Sequence, residues 1–158
     1  MGEPFSVAVG ALQVAGAGLQ LAKTLYEYVE GIQSANRHIK ALASEVRTTS
    51  STLKEFGTLL QQHDAEKLCS QSIVSDASAT FDACKIAFNE VEQVFKKVVT
   101  RNKNGEISVP TSERFTWPFK QGKVETLQAN LERLKTTLLL MLGVMSFARE
   151  RSKKSGSA

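Results

Sequence analysis

Two cysteines, three prolines and a single tryptophan among 158 residues leave little room for several architectures. Two thiols cannot build a disulfide scaffold. Three prolines and ten glycines exclude collagen-like and proline-rich chains. The chain opens without a Lys/Arg-led apolar segment and small-residue cleavage site, so no secretory signal is read. Hydrophobic content of 42% and charged content of 23% sit near the globular average, which excludes wholesale disorder. What remains is one intracellular domain, long enough for a real core and too short for two.

Groups that do chemistry are equally scarce. His38 and His63 are the only imidazoles, and no His-Cys-Asp/Glu cluster has metal-ligand spacing. Cys69 and Cys84 stand fifteen positions apart, and Cys84 falls on an apolar stripe, where a small buried thiol is the favoured reading over a nucleophile. Gly16-Ala17-Gly18 lacks both the third glycine and the preceding strand of a dinucleotide loop. Glu90 and Glu92, two apart, face different directions on a helix. The expectation is a protein that is not an enzyme and holds neither cofactor nor metal.

Helical periodicity dominates the rest. Ile39, Leu42, Val46, Thr49, Leu53, Phe56 and Leu60 recur at alternating steps of three and four. Val74, Ala77, Phe81, Cys84, Phe88, Val91, Phe95 and Val98 repeat the pattern, as do Val124, Leu127, Leu131, Leu134, Leu138, Met141, Met145 and Ala148. Leu21, Leu25, Tyr28 and Ile32 give a shorter version. Such spacing lays each set along one side of an α-helix, and no strand of period two produces it. Four amphipathic helices of roughly 25–30 residues, each about 40 Å long, follow. None can bury its stripe alone, so the predicted fold is all-α, a four-helix bundle of long antiparallel helices over residues 1–150. Residues 151–158, polar and small, are expected to form a flexible basic tail.

Local signals place the boundaries. Pro4 suits a first helical turn. Ser34 or Asn36 can cap the second helix, and His63-Asp64 separates the second from the third. The longer connection, about residues 100–117, holds an Asn104-Gly105 turn signal. There a mobile loop is favoured over a small β-ribbon. Trp117-Pro118 leads into the fourth helix. That helix is apolar on nearly every side from Leu138 to Phe147, which predicts central burial, with the first helix as its cover.

The first helix is unusual. Nineteen consecutive uncharged residues separate Glu3 from Lys23. They span about 28 Å, close to the roughly 30 Å of a bilayer's hydrocarbon. Yet Phe5, Val7, Val9, Leu12, Val14, Leu19 and Leu21 are its only large apolar residues, and Gln13 and Gln20 interrupt them. Gly10, Gly16 and Gly18 each cost about 1 kcal/mol of helix stability relative to alanine. Insertion is therefore expected to be conditional on company. Ala11, Ala15, Gly18 and Ala22 form a small-xxx-small stripe that lets helices approach closely in lipid. Close packing inside a soluble bundle explains the same stripe, and is favoured on the stripe alone.

Charge is unevenly spread. Residues 1–95 carry 7 Lys+Arg against 11 Asp+Glu, and residues 96–158 carry 13 against 5, giving −4 and +8. The basic half suits an anionic surface as well as it suits a solvated face with a basic tail. Lys96, Lys97, Arg101, Lys103, Arg149, Arg151, Lys153 and Lys154 are the candidate headgroup contacts.

Glu3-Pro4-Phe5-Ser6-Val7-Ala8, the Gly/Ala-rich stretch through Gly18, and Leu25-Tyr26-Glu27-Tyr28-Val29 together resemble the fungal HeLo-like N-terminal domain. Arg114-Phe115-Thr116-Trp117-Pro118-Phe119, followed by Leu131, Leu134 and Leu138, extends the resemblance over essentially the whole chain. It implies a helical bundle from fungal signalling proteins, often STAND or NLR-type receptors, related to incompatibility domains and the necroptosis executioner bundle. It further implies oligomerisation, exposure of the N-terminal helix and membrane permeabilisation. Glu3 matches the acidic residue that recurs before the apolar stretch. No GxxxxGK[ST] loop and no amyloid repeat are present, so the chain is either an effector domain cut from a longer protein or a stand-alone member.

Two functions compete. The first is a membrane-targeting, cell-death-inducing effector. It rests in the cytoplasm, self-assembles on a signal from an amyloid- or NLR-type partner, and moves to the plasma membrane. There anionic lipids hold its basic residues while Glu3, Phe5, Val7, Val9, Leu12, Val14, Leu19 and Leu21 carry the inserting helix. The second is a non-toxic oligomerising adaptor that stays folded. Nucleic acid is not an expected partner, because the basic residues lack interleaved aromatics.

Overall fold

The computed structural model describes residues 4–31, 37–62, 71–96, 100–101, 107–108 and 121–156. The four apolar stripes become four long helices: α1 (Pro4–Gly31), α2 (Arg37–Leu60), α3 (Gln71–Lys96) and α4 (Gln121–Gly156). The bundle is therefore all-α apart from one short ribbon. Several sequence features lie outside the described residues: the cap candidates Ser34 and Asn36, His63-Asp64, Cys69, Ile32, Val98 and the stretch Arg114–Phe119.

Burial follows the spacing closely. On α2, Ile39, Leu42, Val46, Thr49, Leu53, Phe56 and Leu60 are all buried. On α3 the same holds for Val74, Ala77, Phe81, Cys84, Phe88, Val91 and Phe95. On α4, Val124, Leu127, Leu131, Leu134, Leu138 and Met145 turn inward, with Met141 half-buried. Two aromatic pairs cross the interior toward opposite ends. Phe56 meets Phe81 edge-on with ring centroids 5.2 Å apart, and Tyr28 meets Phe95 at 4.7 Å. Edge-to-face contact sets the ring edge against the electron-rich face, adding about 1 kcal/mol to burial.

The helices sit at the corners of a square. α1 packs along α2 and α3, and α4 packs along the same two, so α1 and α4 occupy opposite corners. The contacts also set the helix directions. Leu12 and Ala8 lie at Gly57 while Gly18 lies at Ser50, so α1 and α2 are antiparallel. Val7 lines a groove with Phe81 near the start of α3, and Tyr28 meets Phe95 near its end, so α1 and α3 run parallel. Glu45 pairs with Lys135, and Leu59 with Gln62 lines a groove with Leu142 and Ser146, so α2 and α4 are parallel. Two sides of the square are thus parallel rather than antiparallel.

Three expectations change. Residues 138–147 of α4 are not centrally buried and α1 does not cover them: Leu139, Leu140, Val144 and Phe147 are exposed. A corner helix meets its neighbours with one stripe, which Leu138 and Met145 already fill, and its far side faces water. The expected flexible tail from Arg151 continues α4 as helix through Gly156. Lys153 and Lys154 in the last turn favour this, because cations offset the negative end of the helix dipole. Finally, the connection favoured as a loop contains a two-stranded ribbon. β1 (Thr100–Arg101) pairs antiparallel with β2 (Ile107–Ser108), Thr100 opposite Ser108 and Arg101 opposite Ile107. The Asn104-Gly105 turn signal between the two strands lies outside the described residues.

Candidate functional site

α1 is the one helix among the described residues long and apolar enough to cross a membrane, by length and composition. Only 28% of its most apolar stretch is buried, so it is not a central core helix. Its inward side divides into two halves. From Val7 to Gly18 the buried residues are Val7, Ala8, Ala11, Ala15 and Gly18. From Leu21 onward they are Leu21, Ala22, Leu25 and Tyr28, the last two fully buried. The first half adds half-buried Leu12 and Val14, but the second buries the larger Leu25 and Tyr28 completely, and because hydrophobic stabilisation scales with apolar area it holds α1 more strongly.

Small residues in the first half allow close approach instead. A Cβ on Gly18 would stand 2.0 Å from Ser50 Oγ and 2.6 Å from the Phe88 ring. A Cβ on Gly57 would stand 2.9 Å from Leu12 and 3.2 Å from the Ala8 carbonyl oxygen. The small-xxx-small stripe of Ala11, Ala15, Gly18 and Ala22 is thus consumed by contacts inside the bundle. On the side toward α3 the fit is looser, with a groove of about 320 Å³ lined by Ser6, Gly10, Val14 and Lys85 among others. A Cβ on Gly10 or Gly16 would meet no described atom within 4 Å, so neither glycine is required by close packing.

The residues expected to enter lipid are therefore not on one side. Phe5 and Val9 face solvent, at 60% and 38% exposure. Leu12, Val14 and Leu19 are half-buried, while Val7 and Leu21 belong to the core. Glu3 lies outside the described residues. Seen as a helix rather than a sequence run, α1 cannot present all seven apolar residues without leaving its neighbours.

The basic candidates separate into two groups. Arg149, Arg151, Lys153 and Lys154 lie on the last turns of α4, the first half-buried and the others exposed. Those turns share an end of the bundle with the start of α1, because both flank the end of α2. Lys96 closes α3 and Arg101 lies in β1, toward the opposite end; their side chains, with Lys97 and Lys103, lie outside the described ones. One apolar helix start and one cationic helix end are therefore brought together, whereas Lys96 and Arg101 belong to the other end.

Sequence reasoning missed two features. Glu45 on α2 is almost buried and forms an ion pair with Lys135 of α4. Its signal was a carboxylate directly beside the stripe residue Val46. The exposed Leu140, Val144 and Phe147 also have a signal, a 4-3 spacing of their own opposite the buried stripe.

Titratable groups inside the bundle are few. Burial pushes the Cys84 thiol up to about 12 and the Tyr28 phenol up to about 12. A thiol held protonated at neutral pH is a poor nucleophile, in line with its place on the core stripe. Among the described residues no group of three or more His, Cys, Asp or Glu is placed to hold a metal ion.

No curated protein and no solved structure matches the chain. Residues 2–156 match the family model described as pigment biosynthesis cluster protein PigL, N-terminal. That match spans nearly the whole chain, including all four helices, and the chain belongs to the PigL N-terminal domain family.

Proposed function

We propose that this domain is a membrane-targeting, cell-death-inducing effector of the HeLo-like kind, in which the first half of α1 leaves the bundle and inserts into a bilayer. The observation that carries the reading is the uneven docking of α1: alanines and Gly18 with Val7 and the half-buried Leu12 and Val14 hold Val7–Gly18, whereas Leu21 and the fully buried Leu25 and Tyr28 anchor the second half. A helix so held opens from its N-terminus while the anchored half stays in place. Once released, Ala11, Ala15, Gly18 and Ala22 become available for helix-helix contact in lipid, where close approach replaces hydrophobic driving force. Several copies then stabilise one another, which makes self-association part of the mechanism. The resemblance of the N-terminal residues to HeLo-like domains supports the reading. It also supports an amyloid- or NLR-type partner as the trigger, with movement from cytoplasm to plasma membrane.

Phe5 and Val9 test it cleanly, because both are exposed and neither supports the fold. Phe5→Lys with Val9→Lys should leave the melting temperature unchanged and abolish dye release from anionic vesicles. A lysine costs about 3 kcal/mol at the centre of a membrane helix and less toward its end, where Phe5 and Val9 stand, so the two together give about a tenfold loss. Release equal to that of the native chain would sink the proposal.

A second reading is a folded oligomerising adaptor, favoured by the burial of the small stripe within the bundle. Under it, the same double substitution leaves function intact, and no condition produces vesicle leakage.

A further inference from the structure

The side of α4 that faces water carries an ordered line of residues. Arg133, Leu140, Val144, Phe147, Arg151 and Lys154 succeed one another at steps of seven, four, three, four and three. At 100° per residue they fall within about 80° of one another, opposite Leu138 and Met145. Leu140 is 67% exposed, Val144 58% and Phe147 65%, with Leu139 beside them at 49%. Three adjoining apolar side chains are thus held in water, with cations at both ends of the line. Glu132 and Glu150 each sit about 100° from the arginine that follows but about 40° from Lys154, so they border the line on the same side as Leu139.

Position adds to this. Ser146 lines a groove with Gln62, just past the end of α2, so Phe147–Gly156 runs about 15 Å beyond α2. The protruding end lies at the end of the bundle where α1 begins. Charge selects among occupants. A second copy laid along the line in either direction brings Arg133, Arg151 and Lys154 against their own kind, with Glu132 and Glu150 only at its border to offset them. An anionic lipid surface meets both requirements, an apolar layer for the middle and phosphates for the ends.

We propose that this line is where the folded domain first seats on an anionic bilayer. α4 lies along the surface, Leu140, Val144 and Phe147 dip into the interfacial layer, and Arg133 with Arg151 and Lys154 hold headgroup phosphates on either side. With α4 laid flat, α1 stands at the opposite corner of the square, away from the surface, so its release is a later and separate step. The proposal deepens the membrane reading of α1 and rests on it for its purpose, but its own readout is binding rather than leakage.

The test is co-sedimentation of the full chain with phosphatidylcholine vesicles, with and without phosphatidylserine. The native chain should bind only the anionic vesicles. Leu140→Ser with Val144→Ser and Phe147→Ser, all solvent-exposed, should keep helicity and lose binding about tenfold or more. Arg133→Gln with Arg151→Gln and Lys154→Gln should lose binding as well, and added salt should weaken the native chain's binding. Phe5→Lys with Val9→Lys should still co-sediment with anionic vesicles while losing leakage, which separates this proposal from that for α1. Unchanged binding by the serine variant overturns the proposal even if leakage depends on Phe5 and Val9. So does a native chain that ignores anionic vesicles; a dimer in light scattering that the serine variant splits would then assign the line to a second copy.

Discussion

Gly18 and Gly16 are two residues apart and have opposite reasons to be glycine. Gly18 sits where a Cβ would strike Ser50 Oγ and the Phe88 ring, joining α1 to α2 and α3 at their closest approach. Gly16 points outward into open space. Gly18→Ala should therefore destabilise the fold by about 1–3 kcal/mol through overpacking. Gly16→Ala should stabilise it by about 0.5–1 kcal/mol, since alanine loses less backbone entropy in a helix. Urea unfolding of both variants checks the pair, and shifts of the same sign would contradict the packing of α1. The sequence marked both glycines as weak points of the helix, but only the position of α2 and α3 tells them apart. Seven of the eight residues expected to enter lipid have described side chains. Their division into exposed Phe5 and Val9, half-buried Leu12, Val14 and Leu19, and core Val7 and Leu21 was hidden for the same reason.

Among the elements, α1 is where local stability should vary most along one helix. Its second half buries Leu25 and Tyr28 completely, with Tyr28 against the Phe95 ring. Its first half offers Val7, three alanines and Gly18 to its neighbours, with Leu12 and Val14 half-buried beside them. Native-state hydrogen exchange should show amides before Gly18 opening at lower free energy than those after Leu21, although both are equally hydrogen-bonded. Uniform protection along α1 would remove the basis for partial release. Spacing read from the chain placed the α2 stripe residue for residue, because a single repeating side meets a single core. It could not place the far side of α4. An apolar segment without a polar side fits either a central helix or a corner helix, and only the arrangement of the square decides. The persistence of α4 to Gly156 was equally hidden, since a polar composition is compatible with helix when cations gather at its end.

At the scale of the whole molecule, two buried acids tie stability to pH. The unfolded chain gives up the Cys84 proton near 9.0 and the Tyr28 proton near 10.0, whereas the folded chain keeps each to about 12. Between these limits the folded state binds more protons, so their contribution is complete below pH 9 and falls as pH rises toward 12. The slope is about 1.4 kcal/mol per pH unit for each group ionised only in the unfolded state. Comparing the native chain with Cys84→Ala isolates the thiol. The gap between their urea midpoints should narrow as pH rises from 9 toward 12, and a constant gap would show that the thiol is not held protonated.

The helix square also explains how release could be local. α1 and α4 stand at opposite corners, so the first half of α1 can leave α2 and α3 without disturbing the α2–α4 contact fixed by Glu45 and Lys135. Leu12 and Gly57 provide a means to forbid that motion. A Cβ on Gly57 would sit 2.9 Å from Leu12 Cγ, the place a cysteine sulfur takes in a bridge. Leu12→Cys with Gly57→Cys, made together with Cys69→Ser, should therefore form a disulfide that fastens the first half of α1 to α2, with Cys84 buried out of reach. The decisive measurement is dye release from anionic vesicles by this variant, oxidised and then reduced in the same sample. If the first half of α1 must leave the bundle to permeabilise, the oxidised protein is silent and reduction restores release; leakage from the oxidised protein equal to that of the reduced one would contradict the account.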